Sequence, residues 1–446
     1  MKVWEIIEAT NGILISGELS QDIQGFCQDT RKIKPKDMYI PLVGEVFDGH
    51  DFIDEAFKQG ASAIITSRHE SYPQDKTVIF VKDTLKALQE MASYLRNNRD
   101  VKVVAITGSV GKTSTKDMVA SVIATRYKTL KTQGNYNNHI GLPLTMLNYH
   151  GEEVMVLEMG MSHLGEIHLL SQIAKPDYAI ITNVGTAHIG NLGSRENILR
   201  AKLEIIDGMN EGGKLVVNND NDLLHEYALT HEVITFGIEN SSSYQAKETV
   251  ILPHLSTFEY NNQTIEVNVP GSHFILNALA SIAVGDLLHI PIHQIISGIE
   301  SFELTKKRMD FVNLNHGITL IDGTYNANLD SMLSSIDVLS KYENRKVVIL
   351  ADMLELGEFS EDLHRQVGHI LSEKKIDLVL CVGKESRFIV DSAKRNGIEN
   401  VYYFQSNQDL IRKIDQFLQP NDVILAKGSQ GMHLIEITQY LKENYR

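Results

Sequence analysis

Apolar residues along the chain follow two different spacings. Short continuous runs, typical of buried strands, alternate with longer stretches in which apolar residues recur every three or four positions, as on one face of a helix. The clearest runs are VVAI (103–106), VMVL (154–157), VVIL (347–350) and LVLCV (378–382). Because strands that alternate with helices form parallel sheets, the pattern predicts an α/β protein.

The first 99 residues form the shortest of three predicted domains. Its predicted elements are strands at Met38–Val43, Ser62–Thr66 and Val78–Val81 and helices at Phe52–Lys58 and Thr84–Asn97. The second helix has one apolar face and leads to the next domain, so we predict a small N-terminal α/β domain with a linker helix.

Residues 100–311 are predicted to form a central domain with a mainly parallel sheet. Its strands end at Thr107, Glu158, Asn183 and Asn218. Shorter alternating strands at Ser243–Val269 predict a small β insert. Residues 312–446 contain five apolar strands separated by helices, which predicts a doubly wound, Rossmann-like C-terminal domain. Its first turn has no G-x-G-x-x-G sequence, so we do not expect it to bind NAD.

The sequence TGSVGKTST, residues 107–115, joins a predicted strand to a predicted helix. A glycine turn at a helix start presents unpaired N–H groups to an anion, and a lysine adds a full positive charge. This pattern predicts a phosphate-binding loop of an ATPase, although an ordinary strand-to-helix turn is the alternative. The predicted nucleotide contacts here are Thr107, Gly108, Ser109, Gly111, Lys112, Thr113 and Ser114.

Three further residues of the central domain are candidates for metal binding. Glu158 ends a strand, and its carboxylate could reach a magnesium ion held by Thr113. His188 follows another strand in a glycine-rich loop, where a structural role is equally open. Lys202 lies on the apolar face of a helix. Its ammonium group could extend to the edge of that face, or its pKa could be low enough for carbamylation; the residues alone favour the first alternative.

Polar residues also follow the strands of the C-terminal domain. Asp322 precedes a turn with Tyr325 and Asn326, and Asp352 and Lys427 end two other strands. Ligands of doubly wound sheets bind at this edge, so we predict that these side chains meet in one crevice. The alternative is that the asparagines only form turns.

Composition narrows the range of partners. A formal charge of −15 opposes non-specific binding to nucleic acid, and we predict none. The sequence lacks a long apolar run and an N-terminal signal-peptide pattern, so we predict a cytoplasmic protein without stable membrane association.

The motifs together resemble those of the Mur ligases of cell-wall synthesis. The resemblance extends over nearly the whole chain, through DTR, TGSVGKTST, GNYNNHIGLPLT, EMGM, ITNVGTAHIG, ENILRAKLEI, PGSHFILNALA, TYNAN, DMLELG and KGS, in that order. It implies a three-domain ATP-dependent ligase, most similar to the branch that adds D-alanyl-D-alanine to UDP-N-acetylmuramoyl-tripeptide. A magnesium cofactor, with two ions, and a monomeric state are also expected.

The resemblance also implies residue roles. Lys112, His188 and Lys202 would be catalytic, and Thr113, Glu158, His188 and a carbamylated Lys202 would hold metal. The implied adenine and nucleotide contacts are Asn277, Arg308 and Asp322. The implied substrate contacts are Thr30, Arg31, Asn137, Asn138, Tyr325 and Asn326.

Three positions depart from the family pattern: Gly323, Leu329 and Gln430. All lie in the C-terminal domain, where the amine substrate is selected, so a related ligase with another amine substrate remains an alternative. That alternative includes an enzyme similar to folylpolyglutamate synthase. A phosphate-loop ATPase that works as a switch and a catalytically silent binding protein are further alternatives.

Overall fold

The computed structural model describes residues 1–304 and 309–445. Its strands form four sheets, and most helices lie between strands that are parallel. The α/β class and the three-part architecture predicted from the sequence are confirmed. The exact domain limits at 99 and 311 remain predictions.

The N-terminal sheet has five strands in the order β1-β5-β4-β3-β2, and only β1 is antiparallel to its neighbour. The strands are β1 (Ile13–Ser16), β2 (Gly25–Cys27), β3 (Asp37–Tyr39), β4 (Ala63–Thr66) and β5 (Thr77–Phe80). The helices are α1 (Val3–Thr10), α2 (Ile53–Lys58) and α3 (Thr84–Asn98). The third strand is shorter than predicted. Pro41 follows it, and proline has no N–H to donate to a sheet.

The central sheet has seven parallel strands in the order β12-β11-β10-β9-β6-β8-β7. They are β6 (Lys102–Thr107), β7 (Thr129–Lys131), β8 (Val154–Glu158), β9 (Tyr178–Ile181), β10 (Lys214–Asn218), β11 (Ile234–Gly237) and β12 (Tyr244–Gln245). The antiparallel insert is formed by β13 (Lys247–Ile251), β14 (Ser256–Tyr260) and β15 (Gln263–Val267). The predicted β insert is therefore present.

Eight helices accompany the central sheet among the described residues. They are α4 (Lys112–Ala124), α5 (Gly141–Leu147), α6 (Glu166–Ala174), α7 (Ile189–Leu192), α8 (Arg195–Leu203), α9 (Asp222–Ala228), α10 (Ser272–Leu287) and α11 (Ile292–Glu300). Strands β6 and β8 are buried nearly throughout, as expected for a parallel sheet covered on both faces. This packing brings the carboxyl ends of neighbouring strands to one edge.

The C-terminal sheet has six strands in the order β16-β17-β21-β18-β19-β20. They are β16 (Asp310–Asn313), β17 (Thr319–Asp322), β18 (Lys346–Ala351), β19 (Leu378–Val382), β20 (Val401–Phe404) and β21 (Val423–Lys427). The helices are α12 (Leu329–Ser340), α13 (Ser360–Glu373), α14 (Arg387–Arg395), α15 (Asn407–Ile411) and α16 (Ile435–Asn444). The five predicted strands are present. The edge strand β16, antiparallel to β17, was not predicted.

The linker helix α3 is fixed to the central domain by a buried arginine. The Arg96 guanidinium group donates to the carbonyl oxygens of Ala174 (2.9 Å) and Lys175 (2.9 Å) and to the carboxylate of Asp177 (2.9 Å). A guanidinium group in this position satisfies the main-chain acceptors at the end of α6, which would otherwise be unpaired. The N-terminal domain is therefore attached through a rigid helix.

Candidate active site

The turn between β6 and α4 depends on glycine at two positions. Gly108 has φ +154°, and a Cβ atom there would lie 1.9 Å from the Thr182 hydroxyl oxygen. Gly111, directly before α4, has φ +82°. An L-residue with a side chain is unfavourable in this left-handed region. The two glycines therefore allow the main chain to turn tightly into the start of the helix.

The loop after β9 holds this turn in place. The Asn183 side-chain oxygen accepts from Val110 N (2.9 Å), and the Ser109 hydroxyl oxygen accepts from Gly185 N (3.0 Å). The Lys112 ammonium group donates to the Gly108 carbonyl oxygen (2.7 Å) and so lies over the loop. The turn is preformed, with a cation above it and the start of a helix at its end, which is the arrangement that binds a phosphate.

Glu158 lies beside this loop, as predicted from its position at the end of β8. One carboxylate oxygen accepts from the Thr113 hydroxyl (2.6 Å), and the other accepts from the Asn137 amide (2.8 Å). The carboxylate is almost completely buried. A hydroxyl and a carboxylate in contact beside a phosphate loop are the groups with which such loops hold Mg²⁺.

Lys202, on α8, is buried with 2% of its surface exposed. Among the described residues, no carboxylate forms an ion pair with its ammonium group and no acceptor forms a hydrogen bond with it. Burial lowers the pKa of Lys202 well below its usual value, and the charge of Lys112 lowers it further. The prediction that this side chain extends to the edge of its helix face is wrong, because the side chain is enclosed by tertiary packing.

His188 directly precedes α7 and lines the same cavity as Lys112 and Glu158. Burial lowers its pKa, and so do the charges of Lys112 and Lys202, whereas the Glu355 carboxylate opposes the shift. The imidazole is therefore expected to be neutral at neutral pH, which is the form that binds metal. Within residues 1–304 and 309–445, His, Cys, Asp and Glu side chains do not cluster in groups of three or more that could hold a metal ion. The metal-binding set predicted from the sequence has only two side chains of these types, Glu158 and His188. Its other members are Thr113 and Lys202.

A cavity of about 630 Å³ lies between the central and C-terminal domains. The central domain lines the cavity with residues of the phosphate loop and of neighbouring loops: Ser109, Gly111, Lys112, Ser114, Asn137, Asn138, Glu158 and His188. The C-terminal domain lines it with Gly323, Tyr325, Asn326, Lys427 and Gln430. The Lys427 ammonium group donates to the Asn326 carbonyl oxygen (3.1 Å). Two of the three positions that depart from the family pattern, Gly323 and Gln430, therefore lie at the cavity.

Asn277 lies behind the phosphate loop, on α10. Its side-chain oxygen accepts from the Thr115 hydroxyl (2.8 Å), while its buried amide nitrogen has no partner among the described residues. A buried donor without an acceptor is costly, and a ring nitrogen of a nucleobase would satisfy it. The position is compatible with the predicted adenine contact. Arg308, also predicted to contact the nucleotide, lies outside the described residues.

Several predicted residues do not line the cavity. The Thr107 hydroxyl donates to the Met159 carbonyl oxygen (2.9 Å). Asp322 is fully buried, and its carboxylate accepts from the Lys442 ammonium group (2.6 Å) and the Thr324 hydroxyl (2.7 Å). Burial raises the pKa of Asp322, but the hydrogen bonds from Lys442 and Thr324 outweigh it and leave the pKa below its usual value. Asp322 is thus held within its own domain.

Asp352 is likewise turned away from the crevice. Its carboxylate accepts from the main-chain N–H groups of Lys384 (2.9 Å), Glu385 (3.0 Å) and Ser386 (2.7 Å). The prediction that Asp352 opens into the ligand crevice is wrong, because the loop after β19 supplies all of these donors. In the N-terminal domain, Thr30 and Arg31 form a short 3-10 helix away from the cavity, and the Arg31 guanidinium group pairs with Asp29.

Sequence reasoning missed the residues that join the two domains. The Asp330 carboxylate accepts from the main-chain N–H (3.0 Å) and the hydroxyl (3.2 Å) of Thr186. The Ser334 hydroxyl contacts His273 Nδ1 (2.8 Å) across the same cleft, and burial lowers the pKa of His273 to about 4. Asp330 is the second residue after TYNAN, at the start of α12, and this proximity to a motif is the only signal that the sequence offered.

Known proteins are similar to this chain along nearly its whole length. Sequence profiles of the Mur ligase family match three consecutive parts: the catalytic domain profile at residues 22–96, the middle domain profile at 106–285 and the glutamate ligase domain profile at 307–430. The chain is 38% identical to the UDP-N-acetylmuramoyl-tripeptide--D-alanyl-D-alanine ligase of Bacillus subtilis, covering 99% of this chain and 98% of the relative. The ligase of the same name from Escherichia coli is 34% identical, with 99% and 98% covered.

Solved structures agree with this result. The crystal structure of MurF from Acinetobacter baumannii superposes with a TM-score of 0.90 at 30% identity and covers 99% of both chains. The MurF ligase of Thermotoga maritima in complex with ADP has a TM-score of 0.82 at 28% identity, with 94% of this chain and 97% of that chain covered. Together with the phosphate loop, the Thr113–Glu158 pair and the buried Lys202, these similarities show that the chain belongs to the Mur ligase family.

Proposed function

We propose that this protein is an ATP-dependent ligase that joins D-alanyl-D-alanine to UDP-N-acetylmuramoyl-tripeptide in the synthesis of peptidoglycan precursors. The observation that carries the proposal is the shared cavity, in which a preformed phosphate loop and Glu158 face Tyr325 and Lys427 of the C-terminal domain. The relatives named for this reaction span the whole chain, and one such structure binds ADP, which supports ATP as the nucleotide.

Amide formation from a carboxylate in water requires activation, because oxide is a very poor leaving group. In the proposed reaction the carboxylate of the tripeptide attacks the γ-phosphorus of ATP, which forms an acyl phosphate and releases ADP. Lys112 and the N–H groups at the start of α4 would stabilise the charge on the transferred group. This role consists of positioning and electrostatic stabilisation, as is general for phosphoryl transfer.

The residues present fit a magnesium site. Thr113 and Glu158 are already in contact beside the phosphate loop, and burial lowers the pKa of the His188 imidazole. Lys202 is buried and forms no ion pair with a described residue. Burial lowers its pKa, although the charge of Asp330 opposes the shift, and a lowered pKa favours the neutral amine that can take up carbon dioxide. A carbamate on Lys202 would supply the further anionic ligand that a site for two ions needs. When bound, Mg²⁺ would neutralise charge on the phosphates during transfer.

In the second half of the reaction, the amine of the dipeptide attacks the acyl carbon. A tetrahedral intermediate then collapses to the amide and inorganic phosphate. We assign Tyr325 and Asn326 to the side of the cavity from which the amine enters, because they face the phosphate loop from the C-terminal domain. Asn137 and Asn138 line the opposite side and would contact the sugar-linked substrate, with Thr30 and Arg31 contributing further along the N-terminal domain.

The nucleotide roles of Asn277, Arg308 and Asp322 remain predictions, as do the cytoplasmic location and the monomeric state. None of the helices within the described residues is long and apolar enough to cross a membrane.

The test is phosphate release from ATP and Mg²⁺ with UDP-N-acetylmuramoyl-tripeptide, with D-alanyl-D-alanine either supplied or omitted. Release that requires both substrates, with a product heavier by the dipeptide less one water, is expected. Phosphate release without either substrate would instead indicate an ATPase switch. Release only with another amine would mean that Gly323, Leu329 and Gln430 change the substrate within the same chemistry.

A further inference from the structure

Glu355 of the C-terminal domain contacts the loop that carries His188 at two points. Nδ1 of His188 lies 2.5 Å from a carboxylate oxygen of Glu355. The main-chain carbonyl oxygen of Glu355 accepts from Gly190 N (3.1 Å). A single residue of one domain thus fixes both the side chain of His188 and the main chain two residues beyond it.

Both partners have an unusual backbone conformation. His188 has φ +62° and Glu355 has φ +63°, in the left-handed region that glycine occupies most readily. Two non-glycine residues in this region, in contact across a domain boundary, indicate that their side chains are needed there despite the strain. Glycine at either position would relieve the backbone and remove the contact.

The main chains around this contact approach closely. A Cβ atom on Gly190 would lie 2.6 Å from the main-chain nitrogen of Gly357. Gly357 itself has φ +54° and begins the short 3-10 helix Gly357–Phe359. Larger residues at position 190 would push the two loops apart. The close approach therefore fixes the position of Glu355 relative to His188.

We propose that Glu355 is a positioning residue that orients the His188 imidazole for metal binding. The carboxylate lies against Nδ1, and because the two ring nitrogens point in different directions, Nε2 is left for the cavity that His188 lines. Carboxylate partners of metal-binding histidines fix the tautomer and the ring orientation in this way. The inference rests on the proposed function, in which His188 holds Mg²⁺.

This role joins metal binding to domain contact. His188 belongs to the central domain and Glu355 to the C-terminal domain, so the imidazole is held in place only while the two loops touch. The competing interpretation is that Glu355 is only an interdomain brace, since its side chain is 54% exposed. A brace would affect domain contact without a specific effect on metal affinity.

The experiment compares Glu355→Gln and Glu355→Gly with the same two changes at Glu248. Glu248 is a suitable control because it also has a positive φ, +44°, and lies exposed in the β insert. Mn²⁺ binding is measured by electron paramagnetic resonance in the presence of a non-hydrolysable ATP analogue. The Mg²⁺ concentration for half-maximal ligation and the affinity for the analogue are measured separately.

Both Glu355 variants are expected to bind Mn²⁺ about 10- to 100-fold more weakly and to need correspondingly more Mg²⁺. The Glu355→Gly protein should unfold at a temperature no lower than Glu355→Gln, because glycine tolerates the left-handed backbone. The Glu248 variants should bind Mn²⁺ like the wild type.

Unchanged Mn²⁺ binding in Glu355→Gln would overturn the inference. The same holds if the analogue binds more weakly while Mn²⁺ affinity at saturating analogue is unchanged, since that is the behaviour of a brace. Failure of the wild type to ligate the two substrates would contradict the proposed function instead. The Mn²⁺ titration needs no turnover and still reports on Glu355 in that case.

Discussion

The central and C-terminal sheets both end their strands in polar residues, but they use them differently. In the central domain Glu158, at the end of β8, turns into the cavity and meets Thr113 and Asn137. In the C-terminal domain Asp322 and Asp352 also lie at or next to strand ends, but they accept hydrogen bonds from their own domain. Asp322 accepts from Lys442, and Asp352 accepts from the main chain at 384–386. A position at a strand end is therefore insufficient to identify a ligand-binding residue.

The C-terminal domain reaches the cleft mainly through its loops. Three of its residues at the cleft, Tyr325, Asn326 and Glu355, lie in loops three or four residues after a strand end. Asp330 lies at the start of α12, and Lys427 is a strand-end residue that lines the cavity. The central sheet provides a fixed site, and the C-terminal domain completes it from the other side.

Replacing Lys112 should give the largest effect. In Lys112→Ala, we expect ligation to fall at least about 1,000-fold, because the cation beside the transferred phosphate is lost. The fold should be retained, since the ammonium group contacts the Gly108 carbonyl oxygen at the partly exposed loop. Phosphate release and circular dichroism check the two parts. An active Lys112→Ala protein would contradict the assignment of the central sheet as the fixed site.

Replacing Lys202 should give the second-largest effect. In Lys202→Met we expect the rate of ligation to fall about 100- to 1,000-fold. Added formate or acetate should restore part of the activity, because a small carboxylate can take the place of the carbamate. Steady-state rates with and without these anions provide the measurement. A purely structural lysine would show no rescue.

Lys202 also gives a test by pH. The pKa of Lys202 in the folded protein lies well below 10.5, its usual value in the unfolded chain. Between these two pKa values the unfolded chain binds more protons than the folded protein does. The free energy of unfolding of the wild type should therefore rise with pH from the folded pKa to about 10.5. Lys202→Met lacks this contribution. Denaturant unfolding in buffer free of carbon dioxide should therefore show a stability difference that shrinks as the pH rises. A constant difference would mean that the buried lysine is not neutral in the folded state.

Asp330→Ala should have an intermediate effect and lower kcat/KM about 10- to 100-fold. The carboxylate accepts two hydrogen bonds from Thr186, and its loss leaves the main-chain donor without a partner at the domain contact. Thr186→Val removes only the hydroxyl and should lose less. Kinetics of both single variants and the double variant give the coupling. Wild-type kinetics in Asp330→Ala would show that this interdomain contact does not contribute to the reaction.

Replacing Asp322 or its partner Lys442 should have the smallest effect on the reaction but a clear effect on the free energy of unfolding. Lys442→Met leaves the Asp322 carboxylate buried without its cation and should cost about 3 to 5 kcal/mol, which the double variant with Asp322→Asn should largely recover. Because the folded pKa of Asp322 is lowered, its stabilisation is present above about pH 3.8 and is lost as the pH falls through the folded value.

Urea unfolding of the two single variants and the double variant measures this coupling. The KM for ATP decides between the two roles of Asp322. An unchanged KM in Asp322→Asn agrees with a residue held inside its own domain. A large increase would support the nucleotide contact that the family resemblance implies.

The sequence alone was sufficient for the most buried strands and for the phosphate loop. Continuous apolar runs such as Val154–Glu158 predicted buried parallel strands, because only a sheet covered on both faces buries both sides of a strand. The turn before Lys112 was predictable because glycines, a lysine and a helix start are adjacent along the chain, and local geometry decides their arrangement. The edge strand β16 escaped prediction because it has only four residues, none of them fully buried, and so lacks a continuous apolar run.

Only the tertiary structure decided which polar residues face the cavity. The burial of Lys202, the pairing of Asp322 with Lys442 and the contact of His188 with Glu355 each depend on residues far apart in the chain. The pKa values of Lys202 and His188 are set by desolvation and by the charges brought near them, and neither can be read from sequence spacing. The sequence thus determined where the strands end, and the packing of the domains determined which of those ends form a site.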